Sequence, residues 1–316
     1  MRTLVTGATG FIGTALVQRL LLEHEVVAAY RTNPPRCARV TGYQVGTLTK
    51  QTDWGGAFDG VDCVVHLAAR VHVMHDRVAD PTAEYRRVNV EGSVELARQA
   101  ARADVRRFIY VSSIKVNGES TVPGRPFTAD DVPRPQDPYG ISKHEAEQAL
   151  AQVAVATGME LVVVRPPLVY GPGVRANFRS MMVWLERGIP LPFGAIDNRR
   201  SLVSLDNLSD LLATCVRHPA AAGQTFLAGD GEDVSTSQLL ANLARALGRR
   251  ARLVSVPPVL LESMFGLFGK RAVAQRLVGS LQVDIGPARA RLDWKPPIGL
   301  DEGLRRTAAA FRAEGH

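Results

Sequence analysis

The segment TLVTGATGFIG, residues 3–13, constrains this chain more than any other. A short apolar run ends in Gly7, Gly10 and Gly13, and the amphipathic run FIGTALVQRLLLE (11–23) follows at once. Gly7 permits a tight turn, Gly10 lets backbone approach a diphosphate, and Gly13 lets helix and strand pack closely. The free N–H groups at the helix start then face the anion. The spacing is GxxGxxG rather than GxGxxG, and at a first strand–turn–helix it predicts a dinucleotide site.

The segments after it keep a strand–helix rhythm. RTLVT (2–6), EVVAAY (25–30), DCVVHLAA (62–69), RRFIYVSS (106–113) and ELVVVR (160–165) read as strands. Their near-continuous apolar character suits a parallel sheet covered on both faces. Residues 80–104 read as helical, with Asp80 as cap and Pro81 in the first turn, and 138–157 as a further helix. The expected fold is α/β: a doubly wound parallel sheet of Rossmann type with right-handed crossovers, and a smaller C-terminal α+β lobe. The rhythm breaks after Arg165. Residues 1–165, rejoined by about 201–230 through SLVSLDNLSDLLATCVRH and TFLAG, form the expected dinucleotide domain. Residues 166–200 and 231–316 form the expected substrate lobe.

Composition narrows the partners. The chain has 316 residues, 46% hydrophobic and 22% charged, which is globular rather than disordered. The net charge of +7 comes from scattered arginines without a long basic block, so nucleic acid is not expected. No apolar stretch is long enough to span a bilayer. VPPVLLESMFGLFG (256–269) reads as a helix packed in the small lobe, with contact to a membrane surface as the other reading. Cys37, Cys63 and Cys215 form neither a disulfide framework nor a CxxC pair. With no secretory leader in the first residues, the expectation is a cytoplasmic protein.

The end of the second strand carries no acid from Val26 to Asn33 to hold a ribose 2′-hydroxyl. Arg31 stands there instead, which favours NADP(H) through a 2′-phosphate contact. The other reading is a solvated arginine beside an NAD site. Tyr139 and Lys143, in YGISK, lie at i and i+4 on one helix face, so phenol and ammonium can converge on one ligand. The ammonium is expected to push the tyrosine pKa down toward neutrality, where it exchanges a proton with a hydroxyl or ketone.

TGATGFIG, HLAA, the NVEG of Asn89–Gly92, SSIKVNG, YGISK, RPPLVYGPG, RRSLVSLDNLSDL and LDWKPPIGLDEGL span nearly the whole chain. Together they resemble an extended short-chain dehydrogenase/reductase of the nucleotide-sugar epimerase/dehydratase family. The resemblance implies Ser113, Tyr139 and Lys143 as catalytic residues, Ser112 being a strand-end hydroxyl. It implies a cofactor site of Gly7, Gly10, Phe11, Ile12, Gly13, Arg31, Leu67, Ala68, Ala69, Tyr139, Lys143 and Pro166. It implies substrate contacts at Arg70, His72, Ser113, Asn177 and Arg199, with Arg200 as the alternative to Arg199, and no metal. His66 reads as structural, and His75 lacks partners for a metal site.

The departures also inform. Ile114 and Lys115 replace the acidic pair of the family's dehydratases, so a 4,6-dehydratase is not expected. Asn117 replaces a tyrosine, and Thr47 an aspartate beside the adenine. The resemblance implies a UDP-sugar substrate and a homodimer built on the helices near 80–104 and 138–157. It favours NADPH-dependent reduction of a UDP-4-keto-6-deoxy-N-acetylhexosamine at C4. The alternative is a UDP-hexose or UDP-N-acetylhexosamine 4-epimerase with tightly held NAD, and a remote third is a non-catalytic NADP(H)-sensing regulator. Turnover of cofactor separates the first two; retention of Tyr139 and Lys143 argues against the third.

Overall fold

Each strand of the large sheet is apolar on both faces because helices cover both, and the computed structural model shows how they are arranged. It describes residues 1–35, 37–71, 80–267 and 277–314. The first strands and helices are β1 (Arg2–Thr6), α1 (Phe11–Leu20), β2 (Glu25–Tyr30), β3 (Thr41–Gln44) and β4 (Cys63–His66). α2 (Pro81–Arg86) continues through a π-helical turn at Arg87–Glu91 into α3 (Gly92–Arg102), followed by β5 (Arg107–Val111). Next come α4 (Pro138–Thr157), β6 (Glu160–Arg165), β7 (Leu168–Tyr170), α5 (Ala176–Glu186), β8 (Arg200–Ser204) and α6 (Leu205–Arg217). β9 (Thr225–Leu227), β10 (Asp233–Val234), α7 (Thr236–Ala246), α8 (Pro258–Leu267), α9 (Gly286–Leu292) and α10 (Leu300–Ala313) complete the described elements.

Seven strands pair in the order β3-β2-β1-β4-β5-β6-β9. Every pairing is parallel, with Leu4 between Val27 and Val64 at the centre. The order reverses between β1 and β4, and a crevice opens beyond their carboxyl ends, the usual ligand position in such sheets. One core lies under α1 and α6 and includes Val5, Leu16, Val65, Ile109 and Leu211; the other, under α3 and α4, includes Leu4, Trp54, Leu96, Phe108 and Leu150.

A second sheet, β10-β8-β7, belongs to the smaller lobe. Its core is built from Tyr170, Phe178, Leu202, Leu243, Leu304 and Phe311. The segment 201–218, expected to return whole to the large sheet, divides instead. Its strand β8 pairs with β7 and β10, while its helix α6 packs on α1. α9 also crosses over from the expected lobe: Ile285, Ala288, Leu292 and Trp294 join the core under the large sheet. The reason is apolar area: α6 buries Leu208, Leu211, Leu212 and Val216 on one stripe, which the broad sheet face covers better than a short three-stranded sheet.

Asp230 ties the two lobes together. It accepts the Tyr170 hydroxyl at 2.7 Å, the Ser204 backbone N–H at 2.8 Å and the Asn207 side chain at 2.7 Å. Asn207 also donates to the Ile298 carbonyl at 2.9 Å. Burial pushes the Asp230 carboxyl up, while these donors pull the other way.

Candidate functional site

A cleft of about 810 Å³ occupies the crevice above β1 and β4. Its floor is the glycine turn. Gly7 has φ +65, and a Cβ there would meet the Ala68 backbone at 2.9 Å; one on Gly13 would meet the Gly7 carbonyl at 2.1 Å. Glycine at both positions therefore lets α1 start close against β1, with Gly10 as its extended N-cap. No acid and no side-chain cap occupies that first turn, so its N–H groups are available to an anion.

The catalytic helix starts where Asp137 caps it by accepting the Gly140 N–H at 2.7 Å, with Pro138 in the first turn. Lys115 forms an ion pair with that same Asp137 and bonds Glu119 at 3.0 Å. The lysine at the dehydratases' acidic position thus anchors the start of α4. Asn117 is buried as well: it donates to the Thr128 carbonyl at 2.7 Å and accepts from Arg165 at 3.0 Å. Arg165 in turn grips Glu147 of α4 at 2.9 and 2.6 Å.

Tyr139, Lys143, Ser112 and Ser113 line the cleft together with Val111 and Pro166. The Ser113 hydroxyl is hydrogen-bonded to the Tyr139 phenol. Lys143 donates to the Val111 carbonyl at 2.8 Å and lies 4.5 Å from the Tyr110 ring centroid and 5.9 Å from that of Tyr139. The electrostatics run opposite to the sequence expectation. Burial pushes the Tyr139 phenol up, not down, and Asp137 adds to this, with the Ser113 hydrogen bond only partly opposing. Burial also lowers the Lys143 ammonium to about 7, with Glu147 opposing. For both groups burial is the largest cause of the shift.

A buried hydrogen-bond chain fixes the tyrosine's helix. The Thr6 hydroxyl accepts the Ala68 N–H at 3.1 Å and lies 2.6 Å from His66 Nδ1. His66 Nε2 lies 2.8 Å from the Ser93 hydroxyl, which donates to the Asn89 carbonyl at 2.7 Å. The network assigns the proton to Nε2 and makes Thr6 the donor to Nδ1. Asn89, in the π-helical turn, donates to Ser142 at 2.9 Å, and Ser142 donates to the Tyr139 carbonyl at 2.8 Å. Asn89 also pairs with both backbone groups of Arg70, at 2.8 and 3.1 Å. Burial lowers His66 to about 3, with Lys143 contributing, so the ring is neutral.

Gly7, Gly10, Phe11, Ile12, Gly13, Arg31, Leu67, Ala68, Ala69, Arg70, Ser113, Tyr139, Lys143 and Pro166 all line the one cleft. Asn177, Arg199 and Arg200 do not line it. Asn177 is exposed on α5 and Arg199 is exposed, whereas the Arg200 guanidinium donates to the Gly279 carbonyl at 3.0 Å. His72 and His75 lie outside the described residues. Several lining residues escaped the sequence reading. Gly46 and Leu48 wall the end near Tyr30 on either side of Thr47, and Glu84 and Val88 face in from α2 and the π-helical turn. Nothing in their residue types marks them; the signal was the loop after β3, already singled out at Thr47.

The residues fit a nicotinamide dinucleotide. The Ser112 hydroxyl is buried in the cleft wall with no partner, and a buried hydroxyl without one is costly. Lys143 keeps N–H groups beyond the one given to Val111, and the glycine turn offers backbone donors.

Fold and site together define a dinucleotide-binding enzyme of the short-chain dehydrogenase/reductase type. Residues 3–229 match the model of the NAD dependent epimerase/dehydratase family. A UDP-glucose 4-epimerase of Vibrio cholerae is 48% identical over 98% of this chain and 94% of its own length. One of Mycolicibacterium smegmatis is 31% identical, covering 99% of each chain. The solved UDP-glucuronic acid 4-epimerase of Bacillus cereus, in complex with NAD, superposes with a TM-score of 0.80 at 22% identity, over 100% of this chain and 98% of its own. The chain belongs to the NAD dependent epimerase/dehydratase family.

Proposed function

We propose that this protein is a UDP-sugar 4-epimerase that holds NAD through the catalytic cycle. The observation that carries the reading is the 48% identity to a UDP-glucose 4-epimerase over nearly the whole of both chains. It outweighs the sequence argument for a reductase, which rested on the missing acid after the second strand, on Arg31 and on the family resemblance. Arg31 stands exposed at the rim of the cleft, where a solvated arginine beside an NAD site is an ordinary outcome. Ile114 and Lys115 speak against water elimination, since the lysine is held by Asp137 and Glu119.

In this reading Ser113 donates a hydrogen bond to the sugar O4 and Tyr139 exchanges the O4 proton. Lys143 holds the cofactor's ribose hydroxyls and supplies positive charge beside the phenol. A bound nicotinamide dinucleotide provides an acceptor for the two electrons leaving C4 and returns them, so no net oxidant is used. The 4-keto sugar must present its other face between the two transfers. Tyr139 needs charge compensation to lose its proton, because burial alone holds it protonated.

The test uses purified protein with UDP-glucose or UDP-N-acetylglucosamine and no added cofactor, read by product chromatography. The C4 epimer is expected, NAD is expected in the supernatant after denaturation, and Tyr139→Phe is expected to lose at least ~10²-fold in turnover. Stoichiometric NADPH loss at 340 nm with a UDP-4-keto-6-deoxy sugar, without epimer formation, would overturn the epimerase in favour of the reductase.

A further inference from the structure

Helix α8 divides its apolar residues in an unusual way. Leu261 is buried in the small-lobe core, while Val259 and Leu260 are 74% and 53% exposed. The approach to this helix extends the exposed apolar surface. Leu191 pairs with Leu253, and Val254 donates to the Leu191 carbonyl at 2.8 Å, which lays 189–194 alongside 251–255. Ile189 and Val254 are both exposed on this edge.

Four arginines gather along this edge. Arg187, Arg249, Arg250 and Arg252 are exposed and have no carboxylate partner among the described residues. Between the flanking acids Glu186, Asp197 and Glu262, the stretches 187–196 and 247–261 contain no Asp or Glu. Arg252 and Val254 alternate with the inward Leu253, so guanidinium and isopropyl point to the same side. Arg86, Arg217 and Arg306 elsewhere pair with Glu145, Glu23 and Glu302, while other exposed arginines such as Arg98, Arg125 and Arg312 have no carboxylate partner among the described residues either; what sets this edge apart is the exposed aliphatic side chains beside its arginines. An edge of unpaired arginines around exposed aliphatic side chains suits a surface that is anionic outside and apolar beneath.

We propose that this edge of the small lobe docks the protein on an anionic phospholipid bilayer, with Val259 and Leu260 entering the headgroup region and the arginines meeting phosphates. The contact is peripheral, since no helix among the described residues is long and apolar enough to cross a membrane. It does not depend on which reaction the cleft performs. Arginines rather than lysines suit it, because the planar guanidinium can take two phosphate oxygens at once.

The experiment sediments the full-length protein with vesicles of phosphatidylglycerol and phosphatidylcholine, and with phosphatidylcholine alone, at low and high salt. At least ~10-fold more protein is expected on the anionic vesicles at low salt, falling as salt screens the arginines. Arg249→Glu with Arg252→Glu, and separately Val259→Asp with Leu260→Asp, should each abolish the difference and leave turnover in solution unchanged. Equal binding to both vesicles would overturn the proposal, as would retained binding in both variants. So would failure of the unmodified protein to sediment while Val259→Asp with Leu260→Asp dissociates an oligomer, which would make the edge a contact between copies.

Discussion

His66 offers a clean test of how the buried chain under the active site is wired. Its ring is fully buried and bonded at both nitrogens, and its pKa falls from 6.5 to about 3 because burial and Lys143 disfavour the imidazolium. The unfolded chain therefore binds one more proton than the folded protein between about pH 3 and 6.5. Stability from this residue is fully present above pH 6.5 and is lost as the pH falls through that window. At pH 5 the loss is about 2 kcal/mol relative to pH 7.5. For a chain of 316 residues, that corresponds to roughly 3 °C in melting temperature. The assay compares urea unfolding of the unmodified protein and His66→Gln at both pH values. Glutamine does not titrate, so every other group cancels in the difference of differences. The unmodified protein should lose about 2 kcal/mol more than the variant on acidification. Equal losses in the two proteins would refute the buried neutral ring and the proton placement in the chain from Thr6 to Tyr139.

Three further outcomes are expected. Ser112→Ala should leave the cofactor-free protein as stable or more stable by up to about 1 kcal/mol, because it removes a buried hydroxyl without a partner; calorimetry of stripped protein, with NAD retention measured separately, should show stability kept and retention weakened. Asp137→Ala should cost about 1 kcal/mol in chemical denaturation, through loss of the α4 cap, and lower turnover by detaching Lys115. Arg165→Met should cost about 3–5 kcal/mol by stranding the Glu147 carboxylate, and adding Glu147→Leu should recover most of it. A single variant as stable as the double variant would refute the ion pair's role.

How far the sequence was legible follows from how local each determinant is. The catalytic helix was readable to its last residue: Pro138 in the first turn opens it, and Gly158 at φ +77 closes it. The glycine turn was equally plain, because its constraint acts between residues six apart. The small sheet was not legible, since β7 has three residues and β10 has two. Such strands carry no periodicity and exist only through their partners. The same holds for Asn177, Arg199 and Arg200, whose expected places depended on how the lobe folds over the cleft. Asn117 was uninterpretable until Arg165 and the Thr128 carbonyl appeared beside it. The direction of the Tyr139 shift was missed because spacing reports proximity and says nothing about water.

The bonds that meet at Asp230 bear on how the molecule lets its ligands in and out. A carboxylate shared by β7, β8 and α6 pins the small sheet to the helix layer of the large one. Opening the cleft by swinging one lobe from the other would break the bonds that Tyr170, Ser204 and Asn207 make to that carboxylate. The molecule therefore behaves as one thermodynamic body: heating should give a single calorimetric peak, and amide protons of β8 and α6 should exchange no faster than those of β1. Ligand traffic is left to the segments at the rim, so exchange rates should respond to changes there and not to agents that loosen lobe contacts.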